Sequence, residues 1–208
     1  MNQEETNPKK KTKKKFIEIP PPDLRIVQMT LIGDAPLMVN NFGKKSEQEL
    51  ADKDGNLPKP KRGPRDIQAE YESSFYRMGK NKYGIPASGI KKAAVSACRF
   101  VEGVPMATAL GAFFILGDDN NLVEVISKPP RMDTRIVRIG KFPNKIPQLR
   151  YRGIFDSWKV TFKVRYNAGI ISPAQLLHLY ELAGFSIGVC EYRPEKGGTL
   201  GRFHVARK

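Results

Sequence analysis

Residues 158–166, WKVTFKVRY, alternate without a break. Trp158, Val160, Phe162, Val164 and Tyr166 fall on one side; Lys159, Thr161, Lys163 and Arg165 fall on the other. A period of two puts successive side chains on opposite faces of a strand. One apolar face and one charged face mean a sheet covered on one side and open on the other. The chain must therefore supply helices or a second sheet to cover the apolar side. A helix follows at once: Ser172-Pro173 makes a capped start, and Leu176, Leu177, Tyr180 and Ala183 recur on one side.

The other elements fall into the same plan. Leu24 to Ile32 (LRIVQMTLI) reads as a strand rich in β-branched residues. Ile90, Ala93, Ala94 and Ala97 recur at helical spacing, with Ser88 as the expected N-cap. Ala112–Leu116 and Leu122–Ile126 read as two strands joined by a hairpin turn, Gly117-Asp118-Asp119-Asn120-Asn121. Phe203-His204-Val205 is the last strand. This order predicts an α+β fold of ferredoxin-like, RRM-like β-α-β-β-α-β plan. Two basic insertions interrupt it, at 43–82 and 127–155. The first should hold one short helix, Asp66 to Tyr76. The second should form a basic ribbon from Thr134–Ile139 and Gln148–Arg152. Residues 1–22, lysine-rich and ending in Pro20-Pro21-Pro22, read as a disordered arm, and residues 23–208 as a single domain.

Charge is placed unevenly on that plan. The chain carries net +15, with +4 in residues 1–15, +3 in 43–82, +7 in 127–155 and +3 in 186–208. The remaining stretches, which hold most of the apolar periodicity, carry net −2. A nearly neutral core with basic arms and loops predicts an anionic partner, nucleic acid first. A membrane surface fits less well, since no basic amphipathic helix is visible and no apolar run is long enough to span a bilayer. The two cysteines, Cys98 and Cys190, form neither a disulfide framework nor a four-cysteine zinc site. With no secretory signal visible, the expected location is cytoplasmic.

Two segments offer anion contacts. Lys91 and Lys92 stand in the first turn of the predicted helix, where the macrodipole alone disfavours cations and a docked anion would reverse the balance. Residues 184–203 hold Gly184, Gly188, Gly197, Gly198 and Gly201 among Tyr192, Arg193, Lys196 and Arg202. Glycine permits close backbone approach, and beside cations it makes a phosphate cradle. The ribbon adds Arg131, Arg135, Arg138, Arg150 and Arg152, with Tyr151 interleaved. Tyr192 and Tyr151, next to basic residues, are candidates for base stacking.

The string Ile85-Pro86-Ala87-Ser88-Gly89-Ile90-Lys91-Lys92-Ala93 resembles the I-P-x-S-S-x-K-G-x-x-R helix entry of RAMP proteins. Gly184 to Phe203 resembles their C-terminal glycine-rich loop. RAMP proteins are RRM-like subunits of multi-subunit CRISPR effector complexes, and the backbone-forming type coats a guide RNA in many copies. The resemblance covers residues 24–42 and 83–208. It departs at Gly89 and Ala93, where a second serine and a glycine are usual, and the chain is shorter than most backbone subunits. The stretch from Arg150 to Trp158 and the Arg193–Lys196 loop also resemble small phage-encoded proteins, which would place the chain in a host cytoplasm. The resemblance implies phosphate contacts at Ser88, Lys91 and Lys92, and loop contacts at Arg193, Lys196, Gly197, Gly198 and Arg202. It implies a clamp over the strand made by either insertion.

The expected function is non-catalytic binding of single-stranded nucleic acid, RNA ahead of DNA, with copies of the chain lining up along the strand. The alternatives are a basic protein that inhibits or engages a protein partner such as a CRISPR complex, and a RAMP-type ribonuclease. For the last, no histidine stands between residues 83 and 101. Gly43-Lys44-Lys45-Ser46 lacks P-loop spacing, and Asp118-Asp119 reads as a turn. No catalytic residue, metal or cofactor is expected.

Overall fold

The structure, a computed structural model, describes residues 19–41, 51, 64–118, 120–140 and 143–207. Most of the basic arm and much of the first insertion lie outside these residues. The central pair is β1 (Leu24–Gly33) against β9 (Trp158–Asn167), antiparallel from Leu24↔Asn167 to Ile32↔Lys159. On β9 the five apolar side chains are buried and the four polar ones exposed, as the alternation predicts. The main sheet runs β10-β1-β9-β6-β4-β3, with β5 also on β9. Its members are β3 (Tyr76–Gly79), β4 (Lys82–Pro86), β5 (Phe113–Leu116), β6 (Leu122–Ser127) and β10 (Phe203–Val205).

Two helices cover one face. They are α2 (Ala87–Ala97), which buries Ile90, Ala93, Ala94 and Ala97, and α4 (Pro173–Ser186), which buries Leu176, Leu179, Tyr180, Ala183 and Gly184. Alanines on α2 let it approach the sheet closely. The start of α4 is a full capping box: Gln175 N–H donates to Ser172 Oγ at 3.2 Å, and Ser172 N–H donates to Gln175 Oε1 at 2.8 Å. The connection β1-α2-β5/β6-β9-α4-β10 and the spatial order β10-β1-β9-β5 give the split β-α-β plan, an α+β fold.

A smaller sheet, β2-β8-β7, stands beside it. The ribbon expected in the second insertion is its main part: β7 (Arg131–Ile139) pairs antiparallel with β8 (Ile146–Phe155), and β2 (Leu37–Met38) joins at the base. Helix α1 (Ile67–Ser73) packs on β8. Asp66 caps α1, its carboxylate accepting from Ala69 N–H at 2.9 Å. The rings of Tyr71, Phe75, Tyr83 and Phe155 meet edge-on or tilted at 4.8–6.0 Å and join α1, β4 and β8. Gly153 makes room for this cluster, because a Cβ there would lie 2.1 Å from the Phe75 ring.

Three expectations are corrected. The stretch Gly117–Asn121 does not join a hairpin. Strands β5 and β6 both run antiparallel to β9, from Phe113↔Tyr166 to Leu116↔Lys163 and then from Val125↔Val160 to Ser127↔Trp158. They are two halves of one interrupted strand. Asp118 closes the loop locally, its carboxylate accepting from Leu122 N–H at 2.7 Å and Asn120 N–H at 3.0 Å. Such a loop fits a hairpin or a bulge equally well; the distant strand decides. Ser88 is not the N-cap of α2. Pro86 holds that position, two residues earlier, in extended backbone geometry and with no side-chain cap bond, so the helix has already begun when the chain reaches Ser88, which is exposed. The third concerns extent. The first insertion's predicted helix ends at Ser73 and gives way to the β3–β4 hairpin, whose strand β4 belongs to the main sheet through β6. A further short helix, α3 (Met106–Ala112), had no expectation attached to it.

Candidate nucleic-acid interface

The glycine loop after α4 is a built structure rather than a slack connector. Val189 N–H donates to Gly201 O at 2.9 Å, Leu200 N–H to Tyr192 O at 3.0 Å and Gly198 N–H to Arg193 O at 3.1 Å. Outside contacts fix it: Glu191 N–H donates to Met38 O at 3.0 Å and Gly201 N–H to Pro36 O at 2.8 Å. Gly197 takes φ +76°, the left-handed region, after the turn Pro194–Lys196. A Cβ on Gly198 would lie 1.8 Å from Tyr192 O, so glycine is required there by close approach. Tyr192 itself sits at φ +54° and stays half exposed.

A cleft of about 230 Å³ opens between this loop, the end of β4 and the first turns of α2. Its walls include Asn40, Tyr76, Gly89, Lys92, Glu191 and Arg193. The first turn of α2 carries no acidic residue. Carboxylates hold several of the cations around it. Arg193 donates to Glu195 at 2.7 and 3.1 Å and to Cys190 O at 2.9 Å. Arg99 reaches Glu195 at 3.2 Å, and Arg152 reaches Glu191 at 2.8 Å. Burial pushes the Glu195 carboxyl upward, but Arg193, with Ser96 and Arg99, outweighs it and holds the group below its ordinary value. Burial pushes the Cys190 thiol up to about 12, so it is not a thiolate near neutrality.

The ribbon and the loop meet. Arg135 lies over the Tyr192 ring at 4.8 Å while donating to Asp133 at 2.5 and 3.3 Å. By register, Arg135, Arg150 and Arg152 share one ribbon face with Arg131, while Arg138 and Tyr151 point to the other. The structure therefore gathers Arg135, Arg152, Tyr192, Arg193 and Lys92 at one junction. It sets others apart. Arg131 is held by Asp156 at 2.9 Å, and its hydrogen bond keeps that carboxyl below the usual range. Arg150 faces Glu70 at 3.7 Å, and Tyr151 lies under Arg65 at 5.0 Å. Lys91 sits 3.7 Å over the Phe114 ring at the sheet edge, where burial lowers its pKa. Among the described residues Lys92, Arg138, Lys196 and Arg202 form no ion pair; Arg202 donates only to Thr199 O, at 3.2 Å.

The carboxylates Glu70, Asp133, Asp156, Glu191 and Glu195 are the members of this surface that sequence reasoning passed over. Two were legible, since Asp133 and Arg135, and likewise Glu195 and Arg193, stand two residues apart. The Glu195 arrangement has a pH consequence. Its folded pKa lies below its unfolded value, near 4.3, so its contribution is complete above that value and is lost as pH falls through the folded one. Backbone amides of Gly197 and Gly198 should exchange faster, beyond the intrinsic pH trend, once Glu195 protonates. The variant Glu195→Gln should show no such step.

No family model matches the chain, and no curated protein matches it. Among solved structures it is similar to the crystal structure of Cmr6 from Pyrococcus furiosus, at 13% identity and a TM-score of 0.42, over 88% of this chain and 99% of that one. No helix among the described residues is long and apolar enough to cross a membrane.

Proposed function

We propose that this chain binds single-stranded nucleic acid along the junction of glycine loop, α2 entry and ribbon, without cleaving it. The observation that carries the reading is the set of cations without carboxylate partners on α2 and the glycine loop, Lys92 in the cleft wall and Lys196 and Arg202 on the loop that also carries the half-exposed Tyr192. The paired arginines brace the surface; the unpaired cations meet phosphates, and Tyr192 offers a ring for one base. RNA is preferred over DNA on the resemblance to RAMP proteins, which also supplies the expectation that copies line up along the strand. Cleavage is not part of the reading: His204 lies on β10 with Nδ1 2.6 Å from Asp34, and His178 is on the exposed side of α4.

The test is affinity for a labelled single-stranded 20-mer, RNA and DNA, across a salt series. Three phosphate contacts give a log–log slope of about −2.1, on the order of 20-fold between 50 and 200 mM salt. Replacing Lys92, Lys196 and Arg202 together by alanine should flatten that slope by about 2, with the circular dichroism spectrum unchanged. A wild-type affinity indifferent to salt would refute the proposal.

A further inference from the structure

Strand β10 is too short to cover β1. It pairs only Leu31, Ile32 and Gly33, and the last bond on that side is Ala206 N–H to Thr30 O at 2.8 Å. Backbone groups of alternate residues in a strand point to opposite sides. Those of Leu24, Ile26 and Gln28 therefore point outward, as Thr30's do, and meet no strand among the described residues. A row of unpaired N–H and C=O groups is a template for another strand.

The side chains of the same residues stand on the open face of the sheet, away from the helices. Ile26 is 60% exposed and Leu24 49%. Beside them on β9 stand Lys163, opposite Gln28, and Arg165, opposite Ile26. Neither of these cations, nor Lys159, has an ion-pair partner among the described residues. Glu124 of β6, exposed and lying by Lys82 at 3.5 Å, is the one carboxylate among the strand residues of this face.

We propose that the outer edge of β1, Leu24–Gln28, takes up an extended acidic segment of a partner polypeptide as an added strand. The partner's apolar residues would lie beside Leu24 and Ile26. An acidic residue beside Gln28 would stand two strand spacings, about 9.6 Å, from Lys163, within reach of two extended side chains. A second copy fits poorly, since the chain carries net +15, and so does the chain's own arm, net +4 over residues 1–15. Nucleic acid offers no alternating donor and acceptor ladder for the edge. This surface is separate from the loop–ribbon junction and does not depend on the reading given for it.

The test uses the full chain and two labelled octapeptides with threonine at every second position; between the threonines one carries Glu, Val, Val and Glu, and the other Lys, Val, Val and Lys. The acidic peptide should bind, should slow amide exchange at Ile26 and Gln28, and should outbind the basic one at least tenfold. Gln28→Pro removes only an outward N–H, and edge strands tolerate proline; it should weaken binding at least tenfold. Lys163→Glu, at an exposed position that leaves the backbone untouched, should do the same if Gln28→Pro disturbs folding. Equal binding of both peptides, or Lys163→Glu without effect, overturns the proposal. So does protection of the same amides by a 20-mer RNA.

Discussion

Replacing Gly184 by alanine should destabilise the protein by about 3 kcal/mol, even though alanine is the better helix former by about 1 kcal/mol. Gly184 lies within α4, where the helix crosses β10. A Cβ there would stand 1.9 Å from the carbonyl oxygen of Phe203 and 2.8 Å from its carbonyl carbon. Those are backbone atoms of a strand hydrogen-bonded to β1, so they cannot yield as a flexible side chain would. Helix propensity favours the substitution and the steric clash opposes it more strongly, which fixes the sign. For a chain of this size, such a loss lowers the melting temperature by about 6–12 °C, readable by circular dichroism. An unchanged or raised melting temperature would mean that α4 does not lie on β10 at this distance.

The second large effect is expected at Trp158. Its side chain is buried, packs edge-on against Phe203 at 6.3 Å, and donates its indole N–H to Ala35 O at 2.8 Å. Gly33 makes room for it: a Cβ there would lie 2.1 Å from the indole nitrogen. Trp158→Ala should cost about 4 kcal/mol in lost packing, and about 1 kcal/mol more for the orphaned carbonyl. Against a total stability of about 5–15 kcal/mol, that brings the fold near its threshold. Trp158 is the chain's single tryptophan, so the denaturant midpoint must be followed by far-UV circular dichroism rather than by fluorescence. Trp158→Phe keeps most of the volume and loses the bond to Ala35, so it should retain most of the stability. A Trp158→Ala protein as stable as the parent would contradict the described core.

How far the sequence could be read depended on the range of the forces involved. The alternation in β9 and the periodicities of α2 and α4 are local records of burial, and they located the sheet, its covering helices and the ribbon correctly. The capping box at Ser172 is equally local. The β5–β6 interruption was misread because its turn chemistry is satisfied inside the loop, whereas the choice of partner is made by β9, some forty residues away. Helix α3 escaped because a short alanine-rich stretch has too few turns to show a period. The site divides in the same way. Glycine spacing announced the loop; Gly197 takes the left-handed φ that glycine permits, and Gly198 is required by close approach to the loop's own Tyr192 O. Five of the predicted phosphate-binding arginines turned out to face carboxylates, and three of those carboxylates, Asp156, Glu70 and Glu191, stand far from their arginines in sequence. A formal charge count cannot distinguish a cation that meets phosphate from one that holds a ribbon to a helix.

The interrupted strand has one more consequence. A cut in the exposed loop between β5 and β6 would leave β1, β4 and β5 on one piece and β6, β9 and β10 on the other. In the sheet order these alternate, β10, β1, β9 and then β5 or β6, so each piece supplies strands that lie between those of the other. The two halves would be interleaved like the fingers of clasped hands, held by ladders rather than by the peptide bond. Two fragments made separately on either side of this loop would therefore have a template for finding each other.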